Sequence, residues 1–162
     1  MVGRNKLDAL ELKSARLEKE WRVTIQVPTG GVRVLLDAIE DRIPLVQGAY
    51  DKCLFVREQG YQQFRALEGS YAGAEGTIQT TKISEIVLLI PQNENILSDV
   101  FETVFTFGVQ EEPTISVEEV WGSRSKDLDD KDNPNRYWNR ADADELHGEA
   151  RADPDARAQE DD

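Results

Sequence analysis

Between Trp21 and Trp121 the spacing of apolar residues switches repeatedly between two and three-to-four. That switching restricts the fold more than any other feature of the chain. Val23, Ile25 and Val27 alternate with Thr24 and Gln26, the pattern of a strand with one buried face. Pro28 and the Gly30-Gly31 pair interrupt it. Val32, Leu35, Leu36, Ile39 and Ile43 then fall on one helical face. Pro44 stops this helix, because the residue before a proline avoids helical geometry. "YDKCLFVR" and "YQQFRAL", within residues 48–67, read as two strands joined by Glu58-Gln59-Gly60 as a hairpin turn. A Gly-rich loop, 68–76, leads into "GTIQTTKISEIVLLIP", where Ile86–Ile90 is apolar throughout, as in a strand covered on at least one face. Asn93 or Asn95 suits an N-cap for a second helix carrying Ile96, Leu97, Val100, Phe101, Val104 and Phe105. Gly108 ends that helix, and "TISVEEVW" alternates as a last strand.

The order is β-α-β-β-α-β with an elaborated second strand. It predicts an α+β, ferredoxin-like domain over 21–121, an antiparallel sheet with two helices on one face. The open face of such a sheet calls for a partner, and symmetric association is the common solution. In front of the domain, Leu7, Leu10, Ser14 and Leu17 make a narrow stripe that predicts a charged helical extension over 1–20. Behind it, residues 122–162 are rich in Asp, Ala, Arg and Asn and poor in large apolar residues. They read as a polar acidic tail, mostly disordered. Tyr137 and Trp138, set between Arg136 and Arg140, are the exception. They read as a partner-docking pair, a segment folded back on the body, or incidental aromatics.

The net charge of −13 opposes nucleic-acid binding, since every phosphate contact needs Lys or Arg. No apolar run approaches the ~20 residues that span a bilayer. Cys53 is the single cysteine, so no internal disulfide forms. The expectation is a protein of the cytoplasm, away from membranes.

The chemistry is sparse. Metal-dependent hydrolysis needs several ligands in fixed geometry, and the one histidine, His147, lies in the tail. No catalytic residue, metal site or cofactor is expected. Cys53 shares strand parity with Asp51 and Phe55 and reads as a small buried residue, with a reactive thiol or metal ligand as the alternative. Asp51 with Glu68, or Glu111 with Glu112, has the composition of an acid–base pair. An Asp51–Arg65 ion pair with the glutamates in solvent is the plainer alternative. "PTGG" at 28–31 has only the weak potential of a strand-to-helix turn to hold an anion.

Three segments taken together, "GAYDKC" at 48–53, "QFRALEGSYAGAEGTI" at 63–78 and "EEPTISVEEVW" at 111–121, resemble the PII/CutA-like domain of YqfO-type proteins. That domain occurs as an insert in GTP cyclohydrolase type 2-like dinuclear-metal proteins and as a stand-alone chain. The resemblance covers about 21–121. Ala66 stands where the family tends to have proline, and only Glu111, Glu112 and Pro113 carry over from its His-Pro-Tyr-Glu-Glu-Pro segment. The resemblance implies a trimeric, non-enzymatic binding or regulatory module with ligands in clefts between subunits. It places Tyr50, Asp51, Arg65, Glu68 and Gly69 near such a cleft, suited to a small anionic ligand. A scaffold using the N-terminal helix and Tyr137-Trp138 to hold a protein partner is the alternative.

Overall fold

A computed structural model describes residues 6–126, 133 and 136–149. Its chain order is β1 (Ala15–Pro28), α1 (Val32–Arg42), β2 (Phe55–Arg65), β3 (Ile78–Pro91), α2 (Glu94–Phe107) and β4 (Thr114–Ser125). A short helix α3 (Ala143–Glu149) follows. The four strands form one sheet in the order β2-β3-β1-β4, with β3 antiparallel to both its neighbours. This is the ferredoxin-like arrangement expected.

The two central strands show why one face is closed. Val23, Ile25 and Val27 of β1 and Ile86, Leu88 and Ile90 of β3 all point to the same side and are buried. They meet Leu35, Leu36 and Ile39 of α1 and Val100 and Val104 of α2. Each such side chain taken fully out of water contributes about 1.5–3 kcal/mol. The residues between them face the other way, Arg22 exposed and Thr24, Val87 and Leu89 half-buried. Asn93 caps α2, its Oδ1 accepting from the amides of Asn95 at 2.9 Å and Ile96 at 3.3 Å.

Four expectations need correction. The helical extension over 1–20 is replaced, within the described residues, by a 3-10 turn at Lys6–Ala9 and by β1, which starts at Ala15. Arg16 and Glu18, two apart, share one side of this strand and pair at 2.7 Å. Lys19 lies over the Trp121 ring, so contacts with β4 outweigh the helical stripe. The expected 48–67 hairpin is one strand, because 55–57 and 60–65 both pair with β3 in the same direction. Glu58-Gln59-Gly60 lies at a bulge between the two registers instead of reversing the chain. Residues 50–54, expected to begin that strand, lie outside it, after a turn at Gly48 (φ 61°) and with Lys52 at φ 54°. Finally, of the segment read as a disordered tail, 122–125 belong to β4, and 137–149 hold a 3-10 turn and α3. The rest of that reading lies outside the described residues.

Candidate functional site

The face of the sheet opposite α1 and α2 is built from alternate residues of all four strands. Arg22 of β1 donates through Nη2 to Glu118 Oε2 of β4 at 2.8 Å, and Arg57 of β2 pairs with Glu85 of β3 at 3.1 Å. Between these pairs, Val87 and Leu89 floor a shallow cleft of about 780 Å³, with Phe55 and Cys53 on its wall. Phe55 is 63 % exposed, unusual for a phenylalanine in a sheet. Cys53 is half-buried and precedes β2, so the strand-parity argument for its burial does not apply. Its Sγ lies 3.6 Å from the Asp51 carbonyl.

The five expected ligand residues separate into two groups. Tyr50 and Asp51 sit in the turns before β2. Tyr50 is 76 % exposed, and Asp51 lines a depression of about 370 Å³ with Arg42 and Lys52. Arg65 ends β2, and Glu68 and Gly69 follow in the loop, Gly69 at φ 90°. Nearly the whole of β2, from Phe55 to Phe64, lies between the groups, roughly 30 Å at the usual strand rise. Within one chain that distance prevents an Asp51–Arg65 ion pair.

Two arrangements were not anticipated. Glu111, exposed as expected, also grips the Gly-rich loop. Its Oε1 accepts from the Tyr71 amide at 2.9 Å and its Oε2 from the Ala72 amide at 3.1 Å. Beside it, Gln110 donates to Gln62 at 2.9 Å, Gln62 to Gln26 at 2.8 Å and Gln26 to Glu85 at 3.4 Å. The retained "EEP" motif was the available signal for Glu111; nothing in sequence spacing joins the glutamines. At the "PTGG" turn, Gly31 packs closely, since a Cβ there would stand 2.9 Å from Val109 Cγ2, while Gly30 stands open.

Glu20 is the second. It is 3 % exposed and paired with Arg124, yet its Oε2 has no hydrogen-bond partner. Burial pushes its carboxyl above the usual carboxylate range. Arg124 opposes the rise and Glu18 adds to it. The space for this carboxylate exists because residue 122 is glycine.

In the separate C-terminal unit, Tyr137 and Trp138 meet edge-on at 5.5 Å, and both are 43 % exposed. The Tyr137 hydroxyl lies 3.2 Å from His147 Nδ1, and Arg136 is within 5.4 Å of the Trp138 ring. Among the described residues no group of His, Cys, Asp and Glu has metal-holding geometry. No helix of the described residues is long and apolar enough to cross a membrane.

No family model and no curated protein matches the chain. Among solved structures, a Bacillus cereus protein related to NIF3 is similar at 23 % identity and TM-score 0.54, over 74 % of this chain and 33 % of that one. The chain thus spans about a third of that relative's length. CutA1 from Oryza sativa matches at 14 % identity and TM-score 0.47, over 64 % of this chain and 82 % of that one. CPII, a nitrogen regulatory PII-like protein from Thiomonas intermedia K12 bound to ADP, AMP and bicarbonate, matches at 12 % and 0.45, over 67 % and 98 %. The strand order and helix placement, with the NIF3-related neighbour, give the body of this chain a ferredoxin-like fold.

Proposed function

We propose that this chain is a non-enzymatic binding or regulatory module of the cytoplasm that works as a homotrimer and takes a small anionic ligand between copies. The observation that carries it is the bare face of the sheet. Phe55, Val87 and Leu89 stand there beside the two ion pairs, on a surface that α1 and α2 leave uncovered. The separation along β2 agrees with a site shared between copies. Tyr50 and Asp51 of one copy would supply an aromatic face and a carboxylate; Arg65, Glu68 and Gly69 of its neighbour would supply a guanidinium and a turn. Light scattering tests the assembly, with three times 18.3 kDa expected. A mass of 18.3 kDa would end the trimer reading. Thermal shift with phosphate, nucleotides and carboxylates tests the ligand, since a compound that binds only the folded state raises Tm.

The second reading is a scaffold that docks a protein partner through Tyr137 and Trp138, favoured by the half-exposed, edge-on pair. Pull-down with the full chain and with Trp138→Ala separates the two, because that change leaves ligand-induced Tm shifts intact and removes a docked partner.

A further inference from the structure

The geometry points to the backbone amides of Tyr71 and Ala72 as an oxyanion-recognition point, occupied by Glu111 of the same chain until a phosphate or carboxylate ligand displaces it. This rests on the ligand-binding reading above and supplies its recognition chemistry. Two successive N–H groups turned toward one carboxylate form a concave donor pair, and such a pair accepts oxyanions generally. Glu111 uses both oxygens on it, so the side chain acts as a tethered copy of a ligand's charged end.

The loop does not need Glu111 for its own shape. The Ser70 amide donates to the Leu67 carbonyl at 3.1 Å and the Gly76 amide to the Ala66 carbonyl at 2.9 Å. Ser70 Oγ donates to the Ala72 carbonyl at 2.6 Å, and Gln79 Nε2 to the Ala74 carbonyl at 3.1 Å. Gly69 and Gly73, at φ 90° and 92°, supply turns that other residues reach only with strain. The donors are therefore preorganised and keep their aim when the carboxylate leaves. Glu111 is exposed, so water receives it once released. The Tyr71 ring, 93 % exposed, offers an aromatic face beside the amides, and Arg65 precedes the Ala66 carbonyl at the base of the loop. A tethered carboxylate competes at high effective concentration, which makes this a self-blocked site.

The test uses full-length, nitrogen-15-labelled wild type and Glu111→Gln. Each is titrated with sodium phosphate and, in parallel, sodium acetate, against sodium chloride at matched ionic strength. In the variant the Tyr71 and Ala72 amide resonances move saturably with at least one oxyanion. The midpoint is at least about tenfold lower than in wild type, because an occupied latch leaves only the open fraction to bind. The stronger responder identifies the ligand as phosphate or carboxylate. Equal responses in the two proteins, or no response in the variant to either oxyanion, overturn the inference. Loss of Gly76 and Thr77 amide protection in the variant also overturns it, since the donor pair must stand without the latch. These amides report locally in any assembly state. A single-chain mass by light scattering would therefore end the trimer reading alone, and silent amides would end this one alone.

Discussion

Gly122 and Glu20 show how much one missing methyl group decides. A Cβ at 122 would overlap Oε2 of Glu20, whose side chain is enclosed. Gly122→Ala is expected to cost about 1–3 kcal/mol of stability, the usual range for overpacking, read from urea unfolding. The carboxylate itself makes stability depend on pH. Its folded-state pKa lies above the unfolded value, so its contribution is complete below the unfolded pKa and fades as pH rises through the folded one. The wild-type minus Glu20→Gln difference in unfolding free energy should therefore shift in favour of the variant as pH is raised from the acidic range to neutrality. A difference that stays flat across that range would contradict the burial argument. Neither residue signalled this in sequence, where Glu20 ends a charged run and Gly122 opens a polar segment.

At the scale of elements, α2 is the most self-specified piece, with its cap, its apolar stripe and its Gly108 stop all present in order. Asn93→Ala should cost about 1 kcal/mol by removing the acceptor for two orphan amides, measurable as a lower denaturation midpoint. Both long helices and the central strands were legible because their periods are set by local spacing and one shared core. What escaped notice depends on neighbours. Residues 15–20 follow β4 rather than the helical stripe of Leu7, Leu10, Ser14 and Leu17. The Glu58-Gln59-Gly60 step follows β3, whose 14 residues are long enough to pair both halves of β2. The candidate site was legible only as a set of residue types. Its division between the two ends of β2 became visible once the supposed hairpin proved to be a single strand.

For the whole molecule, the bare sheet face and the length of β2 point the same way. Phe55→Asp places a charge on the surface that would be shared. On the trimer reading it lowers the scattering mass to 18.3 kDa while far-ultraviolet circular dichroism stays unchanged. A trimeric mass for that variant would move the contact off this face. The strand's eleven residues carry one more consequence, this time genetic. If each binding centre borrows its two halves from different molecules, two crippled alleles can rescue one another. Asp51→Ala and Arg65→Ala chains, each inactive alone, would regain a fraction of intact centres when co-expressed and mixed. A double mutant on one chain, blended with itself, would regain none.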